Sequence, residues 1–219
     1  MLRTVFFNLL ISTTAICLFA HCSSKKAAVQ LPYYNTPDFT PHFITQKDSA
    51  LSVINHTIAP FNFTDQNGQN ISNKNVEGRI HVANFIFTRC ANICPVMTDN
   101  MKLVDSAFKN NAAVQLLSFT VTPWIDSVPV LKKFAAGHNI ESSNWHFLTG
   151  DKGEIYKLAR QSYFAEEDLG FTKDSTEFLH TEHILLVDKT QRIRGIYNGT
   201  LQLEIQQLVE DIKTLQRED

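Results

Sequence analysis

Cysteine is scarce in this chain, with only four in 219 residues. Two of them, Cys17 and Cys22, fall in the N-terminal segment, so the body of the protein keeps only Cys90 and Cys94. Two residues cannot build a disulfide scaffold. Excess charge is also missing. Twenty Lys and Arg against 22 Asp and Glu give a formal net charge of −2, with a pI near 6.4. Such a balance offers no footing for nucleic acid or another polyanion. There is no internal repeat and no low-complexity tract. Nor is there a clean membrane-spanning run: Val5 to Ala20 is apolar but broken by Asn8, Ser12, Thr13 and Thr14, whereas a spanning helix needs roughly 18 or more apolar residues. What remains is a chain with 43% hydrophobic residues, enough to bury the core of one domain.

The N-terminus reads as an export segment. Arg3 supplies the positive charge, Val5 to Ala20 the apolar stretch, and Leu18-Phe19-Ala20-His21-Cys22 resembles a bacterial lipoprotein cleavage box. Cys22 would then carry lipid; the other readings are an uncleaved anchor or a secreted protein. All three place the domain outside the cytoplasm, on the periplasmic side of the cell membrane for an anchored form. The expected division is residues 1–22 as signal and anchor, 23–58 as linker and irregular lead-in punctuated by Pro32, Pro37 and Pro41, and 59–219 as the folded domain.

Within that domain, Phe61 to Gly68 predicts a small hairpin with an Asn-Gly turn. Val82–Phe87 and Val114–Val121 are apolar runs suited to buried strands. Between them a helix is predicted from Cys94-Pro95, with Met97, Met101, Val104 and Phe108 facing inward. Ser127 and Pro129 open a second helix with Gly137 after its end, and Asp151 with Glu154 opens a third. His183–Asp188 and Arg192–Tyr197 predict a second hairpin. A final helix, capped by Thr200, carries Ile205, Leu208, Val209 and Ile212. This order implies a mixed β-sheet flanked by α-helices.

The chemistry concentrates in Asn84-Phe-Ile-Phe-Thr-Arg-Cys90-Ala-Asn-Ile-Cys94-Pro95. A strand delivers Cys90 into a loop, and Cys94 stands where a helix begins. The free N–H groups and dipole of that helix start are expected to favour thiolate at Cys94. Two sulfurs three residues apart can close a disulfide or clasp one soft metal ion. A metal would need a third ligand, and imidazole joined to thiolate suits copper. The candidates are His42, His56, His81, His138, His146, His180 and His183. His81 and His146 abut predicted strands and read as edge residues.

From about Phe61 to Leu215 the chain resembles the Sco/SenC proteins, thioredoxin-like copper chaperones for cytochrome c oxidase assembly. The likeness rests on Phe87-Thr-Arg-Cys90-Ala-Asn-Ile-Cys94-Pro95, with Gln115–Pro123, Trp145–Gly150 and Arg192–Gly199 as supporting blocks. It implies a thioredoxin-like sheet in which the loop before the His183 strand borders the cysteine loop. It also implies copper, as Cu(I) and as Cu(II), held by Cys90, Cys94 and His180, with His183 as the alternative third ligand. The partners it implies are the copper-bearing subunit of cytochrome c oxidase and a thiol reductant protein that keeps the cysteines reduced. Leu179 and Thr122 stand where many members have Asp. The competing reading is a thiol-disulfide oxidoreductase using Cys90 and Cys94 as a redox-active pair; a copper or redox sensor is the third. Ordinary thioredoxin-like reductases place two residues between the cysteines and use a later cis-proline, and this chain has no proline after Pro129.

Overall fold

In a computed structural model, the structure describes residues 30–44, 52–165 and 181–218. The framework is set by two strands without an exposed residue: β5 (Ile80–Ile86) and β6 (Val114–Thr120), each buried along its whole length. They pair in parallel, Ile80 against Val114 through Ile86 against Thr120. Strands buried on both faces read as continuous apolar runs rather than alternating ones, which is why the sequence marked them. In chain order the other strands are β1 (Tyr33–Tyr34), β2 (Pro41–His42), β3 (Asn62–Asp65), β4 (Asn70–Ser72), β7 (Trp145–Thr149), β8 (His183–Val187) and β9 (Ile193–Asn198). They form one mixed sheet in the order β2-β1-β9-β8-β5-β6-β7-β3-β4.

The helices are α1 (Asn73–Val76), α2 (Ile93–Phe108), α3 (Val128–Gly137), α4 (Lys152–Lys157) and α5 (Gln202–Arg217). One face of the sheet, with Val82, Ile86 and Leu116, packs on Met97 and Met101 of α2, Leu131 of α3, and Ile205, Leu208 and Ile212 of α5. The other face, with Ala83, Phe85 and Phe119, packs on Phe61, Phe63, Ile155, Tyr156 and Tyr163. Each fully buried side chain of this kind contributes roughly 1.5–3 kcal/mol. The expected mixed sheet flanked by helices is therefore the architecture found.

Local expectations hold with some shifts. The first hairpin turns at Asp65–Gly68: Gly68 adopts φ +77°, and the Asp65 carboxylate accepts from the N–H groups of Asn67 and Gln69, both at 2.8 Å. Asp151 caps α4 by accepting from the Glu154 N–H at 3.0 Å, and α4 runs on into a π-turn over Leu158–Ser162. Gly137 is the last residue of α3 rather than its terminator. The left-handed position belongs to Asn139, φ +56°, whose short polar side chain tolerates it. Thr200 does not cap α5. Leu201 occupies that position, and the Thr200 hydroxyl bonds Asn198 instead, at 2.7 Å.

Part of the stretch read as an irregular lead-in adds structure to the sheet. Tyr34 of β1 pairs with Ile193 of β9, and β2 pairs with β1. Arg194 on β9, only 3% exposed, fastens it there. Its guanidinium donates to the carbonyls of Leu31 and Pro32, pairs with Asp188 and Glu218, and lies 3.9 Å from the centre of the Tyr33 ring. Removing one partner of a buried ion pair strands the other charge. Arg194→Ala should lower the unfolding free energy by about 3–5 kcal/mol in urea titration, without altering the reactivity of the distant cysteines.

Candidate metal centre

Strand β5 ends at Ile86, and the chain turns at once: the Cys90 N–H donates to the Phe87 carbonyl at 3.1 Å. Helix α2 then begins at Ile93, with Asn92 at its N-cap and Pro95 in its first turn. Proline is accommodated there because the first N–H groups of a helix have no intrahelical partner. Met97 and Met101, fully buried, pin this helix to the sheet. The two cysteines are thus carried by a strand end and a helix start that cannot drift apart.

Both thiols are free of disulfide; Cys90 is part-exposed and Cys94 is buried. Their acidities differ in the direction opposite to the expectation that the helix start acts on Cys94. Slight burial works to raise the Cys90 thiol, but the backbone N–H groups of Cys94, Asn92 and Ile93 and the Cys94 thiol all act on its sulfur, and the balance lowers its pKa. Burial is the main influence on Cys94, which is pushed up to about 12, with the Cys90 sulfur and the Asp126 charge adding to the rise. The free donors of the helix start serve the residue that folds back over it, not the residue within it.

Tertiary structure also sorts the histidines. His81 is no edge residue. It is fully buried in β5, its Nε2 lies 3.0 Å from the Tyr163 hydroxyl, and burial lowers its pKa to about 3. His146 pairs with buried Asp65 at 3.0 Å, His138 sits at the end of α3 near Asp99, and His56 stacks on Phe164 with its Nε2 2.7 Å from the Ser162 carbonyl. His42 lies in β2 on the sheet's far edge. His183 opens β8 with its ring edge-on to Phe39 at 5.9 Å. His180 lies outside the described residues. The chain resumes at Thr181, and β8 runs antiparallel to β5 with Ile184 opposite Asn84, so β8 starts at the end of the sheet where β5 delivers the cysteine loop. Gly199 confirms the closeness of these parts: a Cβ there would lie 3.0 Å from Met97 of α2 and 3.1 Å from the Glu182 carbonyl.

Among the described residues no cluster of three or more His, Cys, Asp or Glu gathers as a complete metal site. What the described residues provide is two sulfurs in mutual contact, one biased toward thiolate. Sequence reasoning missed one group, Asp126, whose buried carboxylate stands beside the loop. Its position after Thr122-Pro123 carried no periodic signal. The thiol asymmetry has a direct readout: brief alkylation of the reduced, metal-free protein with iodoacetamide should label Cys90 and spare Cys94, as read by peptide mass analysis. Equal labelling would contradict the assigned acidities.

The SCO1/SenC family profile matches residues 50–217. The crystal structure of a SCO1/SenC family lipoprotein from Bacillus anthracis superposes with a TM-score of 0.64 at 30% identity, over 74% of this chain and 96% of that one. BsSco, described as a member of the Sco family of cytochrome c oxidase assembly proteins with a disulfide switch, gives 0.62 at 34% identity, over 74% and 94%. Copper-bound ScoI from Bradyrhizobium japonicum gives 0.57 at 26% identity, over 72% and 98%. With this sheet, this cysteine loop and a profile match along most of its length, the chain belongs to the SCO1/SenC family of thioredoxin-like proteins.

Proposed function

We propose that this protein is a copper chaperone, delivering copper to the binuclear copper site of cytochrome c oxidase during its assembly. The observation that carries the reading is the Cys90–Cys94 pair: two contacting sulfurs at a strand-to-helix junction, in a chain of a family with a copper-bound relative. Cys90, Cys94 and His180 are the proposed ligands. Two thiolates with one imidazole form a soft, three-donor set that suits Cu(I) and leaves a position open for an incoming ligand; structural zinc usually takes four protein ligands. Copper is the cargo here. Cys94, held as a thiol by burial, must release its proton when metal binds, so affinity should fall as pH falls. Transfer then proceeds by ligand exchange with the recipient's own thiolates, and a thiol reductant protein must return the pair to the dithiol form.

A second reading, thiol-disulfide exchange on a partner's cysteines, has its own support. An accessible, acidic Cys90 backed by a buried, weakly acidic Cys94 is the asymmetry of an attacking thiol and its resolving partner.

At the N-terminus, the proposed arrangement is lipid on Cys22, anchoring the domain to the cell membrane on its periplasmic side. Among the described residues no helix is long and apolar enough to cross a membrane, and a family relative is named a lipoprotein.

Copper titration of the reduced domain lacking residues 1–24 should reach one ion per chain, and oxidation of the pair should abolish tight binding. His180→Ala should weaken copper binding at least about tenfold by opening the ligand set, while His183→Ala, whose ring packs on Phe39, should change it little. The reverse result would move the third ligand to His183. Loss of binding in neither variant, with both cysteines needed to reduce a partner's disulfide, would replace the chaperone with the reductase. Separately, Cys22→Ser should abolish incorporation of labelled fatty acid in cells, without affecting copper affinity of the purified domain. Undiminished labelling would place the anchor elsewhere.

A further inference from the structure

Asp126 lies in the connection between β6 and α3 and is fully buried. Four donors converge on its carboxylate. The hydroxyls of Thr120 and Thr122 donate at 2.5 and 2.9 Å, and Thr88 donates through its hydroxyl and, at 3.4 Å, through its backbone N–H. No Lys, Arg or His among the described residues pairs with it. A buried carboxylate without a cation costs stability unless its lone pairs are filled, and the threonine hydroxyls fill them.

The placement of these donors matters. Thr120 is the last residue of β6, in register with Ile86, the last residue of β5. Thr88 stands two residues beyond that strand end and two before Cys90. The carboxylate therefore ties the exit of β6 to the entry of the cysteine loop.

We propose that Asp126 is the positioning residue of the cysteine pair: by tethering Thr88 to the end of β6 it holds the Cys90–Cys94 loop in the form that closes to a disulfide. A tethered loop keeps the two sulfurs close, which favours the bond between them. This inference rests on the cysteine pair alone and needs neither the third ligand nor copper.

The test is a metal-free equilibrium with glutathione. Two protein thiols give two electrons and two protons to glutathione disulfide, which leaves as two glutathione thiols while the Cys90–Cys94 bond forms. Asp126→Asn keeps the side chain's shape but replaces one acceptor oxygen with an amide that cannot accept; Thr88→Val cuts the hydroxyl tether from the other side. Each should shift the equilibrium at least about threefold toward the dithiol. Asp99→Asn, which removes an exposed carboxylate on α2, should leave it unchanged. Near-UV circular dichroism identifies variants that keep the native fold. A natively folded Asp126→Asn protein with the wild-type equilibrium would overturn the proposal. Should that variant not fold, an unshifted equilibrium in Thr88→Val would overturn it equally. Because no metal is present, failure of the copper titration and failure of this assay are separate results.

Discussion

The structure depends on the complete burial of β5. A strand with no solvent-facing residue needs its backbone N–H and C=O groups paired with its neighbours, and β5 pairs in parallel with β6 along its length and antiparallel with β8 over His81–Asn84. Those two pairings decide which ends of the chain meet. The parallel partner brings the β6 exit, with Thr120, Thr122 and Asp126, beside the end of β5. The antiparallel partner brings the start of β8 to the same end. The cysteine loop is therefore enclosed by segments that lie far from it in sequence. Because both faces of the strand are packed, by α2 and α5 on one side and by the aromatic cluster around Phe119 and Tyr163 on the other, a slip in register would force buried side chains into the wrong layer.

The contrast between the two thiols follows from that enclosure. Cys90 stays at the surface, and its sulfur receives the N–H groups that begin α2. Cys94, buried in the first turn of α2, loses water and gains the field of Asp126. Two sulfurs in contact, one ready as thiolate and the other held as thiol, suit both metal clasping and disulfide exchange. The pair by itself does not choose between those chemistries.

Polar groups inside the core are handled by local pairing. Trp145 donates its indole N–H to the Ser118 hydroxyl at 2.9 Å, and that hydroxyl donates to Asn84 at 2.6 Å. Tyr197 donates to Asp211 at 2.7 Å. At the sheet's edge Arg194 draws the lead-in onto β9 through backbone carbonyls. Such contacts fix which segments touch more than they add net stability, since each mainly replaces a hydrogen bond to water.

Much of the fold was legible in the sequence, because burial on both faces writes unbroken apolar runs and burial on one helical face writes a 3.6-residue stripe. The runs at Val82–Phe87 and Val114–Val121, the stripe from Met97 to Phe108 and the cysteine spacing needed nothing beyond neighbouring residues. The weak points were positions whose role is set by contacts far along the chain. Asn139 rather than Gly137 takes the left-handed turn, and Leu201 rather than Thr200 precedes α5, since the Thr200 hydroxyl is already engaged by Asn198. The pairing of β1 with β9 has no local signature, because two residues are too few for a periodic pattern. His81 looked like an edge residue and proved wholly buried. By itself, the sequence determined that two thiols would stand at a strand-to-helix junction of a mixed sheet. Only the tertiary structure decided which of them is the acidic one and that Asp126 stands beside them, because desolvation and electrostatic fields depend on distance through space, and separation along the chain says nothing of that distance.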